Sequence, residues 1–196
     1  SFKHLTAIRE LRKFLRIVAL CDLEIDKLKE NNKTINDLLR ESRDSSNLIK
    51  LFKDYELLIK AIKTGIINID LIVLCTPSGL HASQAMKAGK IGVNVCTEKP
   101  LATSLQDGLD IVECFDKSNA NLFVVLQNRL NPAIRLLKKQ IDNERFGKLF
   151  LITSNVMWQR PQEYYDQAAW RGTKKMDGGA LLNQACHYAD LMCYLP

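Results

Sequence analysis

Glu98, Lys99 and Pro100 close the apolar stretch in VNVCTEKP, and a charged pair at such a place is costly unless it faces a polar cleft. A lysine ammonium there can hydrogen-bond a substrate hydroxyl and stabilise the alkoxide that develops as hydride leaves, with Glu98 holding it in place. The plainer alternative is a strand-end ion pair of little energetic weight. Gly179, Asn183 and His187 stand at i, i+4 and i+8, one stripe of a helix on which glycine allows close approach. His187 is then a general base, with an unperturbed pKa of ~6.5 suited to taking a hydroxyl proton at neutral pH, or else a satisfied structural histidine. Asp22 follows the run IVALC, where a carboxylate can accept both hydroxyls of an adenosine ribose and repel a 2′-phosphate, or can simply cap a helix. Thr76, Pro77 and Ser78 offer a tight turn near phosphates or nicotinamide, or turn chemistry alone. From Trp158 to Thr173, Arg160, Tyr164, Tyr165, Trp170 and Arg171 mix aromatic rings with guanidinium groups, which suits sugars, carboxylates and phosphates and equally a subunit contact.

The elements that must carry these residues alternate. Phe2, Leu5, Ile8, Leu11 and Leu15 recur at helical spacing ahead of the strand IVALC. From Leu28 to Lys63 the text favours helices, with one short strand near Leu48 to Phe52, and Gly65 stops the second helix. IDLIVLCTP is a continuous aliphatic run of the kind that fits a strand covered on both faces, as in a parallel sheet. Helix (HASQAMKAGK), strand (VNVCTEKP), helix (SLQDGLDIVECFDKSN) and strand (NLFVVLQNR) follow with short connections. The layout predicts a doubly wound parallel α/β sheet over residues 1–130, with Asp22, Thr76 to His81, Glu98 to Pro100 and Gln127 to Arg129 at the carboxyl ends of its strands. A second domain, 131–196, starts with a helix (AIRLLKKQIDNERF) and a one-face-buried strand (KLFLITSNVMW). It continues through a long polar, aromatic loop to a final helix, ALLNQACHYADLMCYL. Both ends read as unfinished. A ribose-binding acid lies ~20 residues beyond its glycine-rich turn, and counting back from Asp22 runs past Ser1, so the first strand and its G-x-G-x-x-G are expected to lie outside this text. One strand after Gly147 cannot close a sheet.

Composition removes several function classes. With 46% hydrophobic residues the 196-residue chain can bury a real core. Its net charge of +6 is scattered and builds no nucleic-acid arm. No apolar run approaches the ~20 residues of a membrane span and the start lacks the apolar core of a signal peptide, which points to a soluble, cytoplasmic protein. Cys21, Cys75, Cys96, Cys114, Cys186 and Cys193 include no C-x-x-C pair, so neither a disulfide scaffold nor a metal site is expected.

CTPSGLH, CTEKPLAT, QNR, WRGT and GGALLNQACHYAD together resemble the Gfo/Idh/MocA family of NAD(P)-dependent oxidoreductases over nearly all of the chain. Within it, TEKP, VVLQNR, RFGKL, YYDQAAWRGT and NQACHYADL most resemble the bacterial UDP-N-acetylglucosaminuronate 3-dehydrogenases of the WlbA and WbpB type. The resemblance implies a Rossmann domain followed by an α/β domain with an open, largely antiparallel sheet that builds subunit contacts, in dimers or tetramers. It implies NAD as cofactor, a UDP-sugar substrate oxidised at its 3-hydroxyl in lipopolysaccharide or O-antigen sugar synthesis and, in some relatives, 2-oxoglutarate as a recycling co-substrate. Lys99 and His187 would be the catalytic pair. Asp22 would contact the adenosine ribose, Thr76, Ser78 and His81 the phosphate-to-nicotinamide region, Glu98 and Gln127 the nicotinamide ribose side, and Trp170 and Arg171 cofactor or substrate. Arg129, Tyr165, Asn183 and Gln184 would meet the sugar and its carboxylate, together with Lys99 and His187. The Lys99–Pro100 peptide resembles the family's cis bond. Many members carry aspartate where this chain has Asn183, and an amide takes no proton, which leaves His187 or Lys99 as the base. Other expectations for the same text are a different sugar or inositol dehydrogenase, or a nucleotide-binding regulatory protein without turnover.

Overall fold

The structure, a computed structural model, describes residues 2–26, 33–44 and 48–196. The chain forms two compact units, Ser1–Asp70 and Leu71–Pro196. Both are α/β and both carry parallel strands, as a Rossmann-type layout requires.

In the first unit, α1 (Phe2–Glu10) precedes β1 (Ala19–Cys21), and α2 (Lys33–Asp44) leads to β2 (Lys50–Phe52) and α3 (Tyr55–Lys63). The helical text expected from Leu28 begins outside the described residues. β1 and β2 pair in parallel with Ala19 opposite Lys50 and Cys21 opposite Phe52. The Asp54 carboxylate accepts the Glu56 N–H at 2.7 Å and so starts α3, whose Leu58, Ile59 and Ala61 turn inward. Burial, with the charges of Asp22 and Asp54 behind it, pushes the Cys21 thiol up to about 11 and leaves it an inert packing group.

The second unit runs β3 (Leu71–Leu74), α4 (Ser78–Gly89), β4 (Asn94–Thr97), α5 (Leu105–Asp116) and β5 (Leu122–Val124). A 3₁₀ turn (Gln127–Leu130), α6 (Pro132–Asp142), α7 (Gln162–Asp166), α8 (Lys174–Asp177), a π-helical turn (Leu181–Ala185) and α9 (Cys186–Tyr194) follow. The sheet order is β3-β4-β5, all parallel, with Leu74 opposite Thr97 and Thr97 opposite Val124. Ser104 starts α5 by accepting the Asp107 N–H at 3.1 Å, and Asn131 with Pro132 starts α6 in the same way. Ile72, Leu74 and Val95 of the sheet are buried, as are Ala82, Ala85 and Ala88 of α4 and Ile111 and Phe115 of α5.

Three sequence expectations change here. The aliphatic run of β3, expected to be covered on both faces, buries Ile72 and Leu74 while Val73 between them is half-buried. Residues 148–158, expected to be a strand, form none among the described residues, and Phe150, Leu151 and Met157 are 85%, 80% and 91% exposed. Alternation supplies a face, but a strand exists only through a ladder partner for its N–H and C=O groups. The last expected helix is interrupted, because its first turn, Leu181–Ala185, is π rather than α. Within the second unit the Arg129 guanidinium pairs with Asp190 of α9. No described helix is long and apolar enough to cross a membrane.

Candidate active site

Parallel pairing in the second unit sends the chain leaving β3, β4 and β5 to one edge of the sheet, the edge at which open parallel sheets bind ligands. The ladder runs on beyond the strands, with the Glu98 N–H on the Leu74 carbonyl at 2.9 Å and the Val125 N–H on the Thr97 carbonyl at 3.0 Å. Lys99 is therefore held at its backbone before its side chain is considered, and the Lys99–Pro100 peptide is cis.

The Lys99 ammonium donates to Asn183 twice, to the side-chain Oδ1 at 3.0 Å and to the main-chain carbonyl. Glu98, the partner expected from sequence, takes the Lys99 main-chain N–H at 3.3 Å instead. Three N–H donors on a flexible stem let one ammonium serve both oxygens and keep a third proton for a ligand. Asn183 lies in the π-helical turn, which is entered through Gly178 and Gly179 at φ +79° and +80°, a conformation that other residues rarely adopt. Turns of this kind recur at functional sites.

His187, one turn further on, is 6% exposed. Its Nε2 lies 3.3 Å from Gln127 Nε2, and with that amide nitrogen as the donor Nε2 is the acceptor. His187 Nδ1 is buried and has no hydrogen-bond partner among the described residues. Burial first, and the Lys99 charge second, lower the His187 pKa below its ordinary 6.5, so the ring is neutral at physiological pH. The sequence alone leaves Lys99 and His187 as equal candidates for the base. In the structure Lys99 donates to Asn183, and His187 is buried with its pKa lowered.

A cavity of about 470 Å³ is walled by Tyr165, Arg171, Gly172, Asp177, Asn183 and Gln184, among others, and meets Lys99 through Asn183. Arg171 stacks over Tyr164 at 4.4 Å and Trp170 at 5.1 Å, and its Nε is buried with no hydrogen-bond partner among the described residues. Gln184 accepts from Arg160 Nε at 3.0 Å and donates to the Tyr164 hydroxyl at 3.2 Å. Tyr165, Asn183 and Gln184, all expected at a sugar, thus share one wall with Arg171, expected at the cofactor.

Other expected site residues are engaged elsewhere. His81 is 1% exposed, and its two ring nitrogens lie 2.7 Å from the Pro100 carbonyl and 2.8 Å from the Thr76 carbonyl. It stands between the turn after β3 and the segment carrying Lys99. The Thr76 hydroxyl is spent on Gln84 Oε1 at 2.6 Å, and Ser78 is buried at the start of α4. Arg129, expected at the sugar, pairs with Asp190 and stacks over Tyr194 at 4.7 Å. Asp22 closes β1 in the first unit, its N–H on the Phe52 carbonyl at 3.0 Å and its carboxylate on the Glu24 N–H at 2.9 Å. Sequence reasoning missed Asp177, a carboxylate only 2% exposed, for which the text offers no signal beyond the Gly-Gly that follows it.

Gly79 explains how α8, which carries Asp177, reaches its place. A Cβ at this residue of α4 would stand 2.5 Å from the Lys175 carbonyl oxygen and 3.0 Å from Met176 Cα. Because backbone must then move, Gly79→Ala is expected to destabilise the fold by about 1–3 kcal/mol and to lower turnover by displacing α8. Thermal melts and steady-state rates check both, and a melting temperature equal to wild type would show that the contact is not tight.

Residues 2–126 match the Gfo/Idh/MocA oxidoreductase family, NAD-binding Rossmann fold, and residues 134–196 match the Gfo/Idh/MocA C-terminal domain. Among solved structures, the WlbA dehydrogenase of Bordetella pertussis, in complex with NADH and UDP-GlcNAcA, is 38% identical with a TM-score of 0.82, covering 98% of this chain and 55% of that one. Myo-inositol 2-dehydrogenase of Thermotoga maritima is 26% identical over 161 residues, 81% of this chain and 44% of its own. Levoglucosan dehydrogenase of Pseudarthrobacter phenanthrenivorans is 28% identical over 129 residues, 65% of this chain and 33% of its own. The chain thus spans between a third and a little over half of the length of these relatives. Because the match runs through both the sheet that presents Lys99 and the helix that presents His187, the chain belongs to the Gfo/Idh/MocA family of oxidoreductases.

Proposed function

We propose that this chain serves an NAD-dependent dehydrogenase that oxidises the 3-hydroxyl of a UDP-linked N-acetylated glucuronic acid to a ketone, a step toward bacterial surface polysaccharide. The observation that carries the reading is the Lys99 ammonium fixed on Asn183 beside a buried, neutral His187. The substrate class is supported by the 38% identity over 98% of this chain to a dehydrogenase bound to UDP-GlcNAcA.

The residues present fit a nicotinamide cofactor. Three parallel strands end at one edge, the first turn of α4 has no side-chain cap to occupy its N–H groups, and Arg171 Nε is a buried donor awaiting an acceptor. Glu98, Gln127, Trp170 and Arg171 would hold its nicotinamide side, and Asp22 its adenosine ribose. When bound, NAD supplies the acceptor for the hydride leaving the sugar carbon. His187 Nε2 takes the hydroxyl proton, its long contact to Gln127 giving way to the substrate oxygen. Lys99 donates to that same oxygen as it gains negative charge. Tyr165, Gln184 and Arg171 orient the sugar and its carboxylate in the cavity.

The test is an absorbance titration of full-length protein with UDP-GlcNAcA, other UDP-sugars, myo-inositol and free sugars, in NAD and in NADP. Nicotinamide reduction by UDP-GlcNAcA with NAD, and weaker binding of NADP because Asp22 meets its 2′-phosphate, is the expected result. Reduction by inositol or free sugars alone would replace the substrate, and equal affinity for both cofactors would remove Asp22 from the ribose. A 2-oxoglutarate arm shows whether bound NADH is recycled.

A further inference from the structure

The carboxylate of Asp177 is buried, and among the described residues no lysine, arginine or histidine pairs with it. A buried, unpaired anion is costly, so its hydrogen bonds must answer for it. They are two. Oδ2 accepts the Gly172 N–H at 2.7 Å, and Oδ1 accepts the side-chain Nδ2 of Asn183. Asn183 in turn offers Oδ1 to the Lys99 ammonium at 3.0 Å. A carboxylate only accepts and an ammonium only donates, so the Asn183 amide between them has one workable orientation, nitrogen to Asp177 and oxygen to Lys99.

We infer that Asp177 is a positioning residue for Lys99, acting through the Asn183 amide: it fixes the face of the amide that the ammonium meets and supplies, one residue removed, the negative charge that balances it. The inference rests on the reading of Lys99 as the alkoxide donor. It also accounts for an amide at position 183, because a second carboxylate there would face Asp177 directly and like charges in a buried site repel. Gly172 joins the same cluster through its N–H, so the W-R-G-T turn carrying Arg171 is registered to the catalytic lysine by the same carboxylate.

Asp177→Asn separates this role from packing, since it keeps the shape and removes one acceptor. Two donors, the Gly172 N–H and the Asn183 amide, then compete for a single oxygen. If Asn183 turns to accept from the new amide, it presents its own nitrogen to the ammonium, donor against donor. The expected result in the full-length protein is a kcat lowered by about 100-fold, the loss that a misplacement of about 1 Å produces, with the KM for NAD within threefold of wild type. The double variant Asp177→Asn with Asn183→Asp moves the carboxylate one position along the same chain. Every donor and acceptor is again satisfied, and its kcat is expected within tenfold of wild type.

Ligand-free crystal structures give a readout that does not depend on activity. Lys99 Nζ should leave the side chain of residue 183 in the single variant, keeping its bond to the main-chain carbonyl, and return to that side chain in the double. A single variant with kcat within threefold of wild type, or a double variant no faster than the single, would overturn the inference. Should the single variant not fold, the double carries the test, and a loss beyond 100-fold in it would be decisive against the role. If wild type reduces no nicotinamide with any UDP-sugar while the crystal structures behave as expected, the substrate reading fails and the positioning of Lys99 by Asp177 stands.

Discussion

Replacing Lys99 with alanine is expected to slow single-turnover hydride transfer by about two to three orders of magnitude while NAD affinity stays within a few-fold. An ammonium held in advance on the Asn183 carbonyl and amide oxygens is oriented before any substrate arrives, so its help to a developing alkoxide requires no reorganisation in the transition state. Removing one such donor costs about 3–4 kcal/mol of barrier. Cofactor affinity draws on many other contacts and should move little. Lys99→Arg should not rescue, because a planar guanidinium is wider than an ammonium and cannot sit on both Asn183 oxygens while aiming a third donor elsewhere. Rapid-mixing measurement of nicotinamide reduction in wild type and both variants decides the matter. Near-normal transfer in the alanine variant would leave Lys99 as a structural tie between the strand end and the π-helical turn.

The second large effect concerns His187, where glutamine is expected to lower kcat by about 10²–10⁴, the range for loss of a positioned general base. Its pH signature follows from the direction of the pKa shift. Burial and the Lys99 charge lower the His187 pKa, so the neutral, proton-accepting ring prevails down to pH values below 6.5. The acid limb of kcat/KM in wild type should therefore fall below that value, and in His187→Gln it should vanish. An acid limb that survives the substitution would assign it to another group and withdraw the base from His187.

Much of this arrangement is legible in the text of the chain, for a local reason. The alternation of helical text and short aliphatic runs places β3, β4 and β5 to within a few residues, and the structure shows Asp54, Ser104 and Asn131 capping three of the helices. Once the strands are parallel, Lys99 must arrive at a carboxyl edge, and Asn183 and His187 of the expected stripe lie in the site although the first turn widens to π, whereas Gly179, at φ +80° with open space where a Cβ would stand, is no part of a helical stripe and makes no close approach. The segment 148–158 shows the limit of periodicity, which specifies a face and not a partner.

What the sequence determines by itself is the order of elements from β3 to β5, the strand end that presents Lys99 and the helix that presents His187, because each depends on neighbours within one or two turns. The tertiary structure alone decides the partners. It gives the Lys99 ammonium to Asn183 rather than Glu98, closes the His81 ring on the Thr76 and Pro100 carbonyls, commits Arg129 to Asp190, and buries Asp177 against Gly172 and Asn183. These contacts join residues as far apart in the chain as Lys99 and Asn183, and long side chains choose among all the acceptors that folding brings within reach. Such choices depend on distance in space and on desolvation, neither of which is written in local spacing.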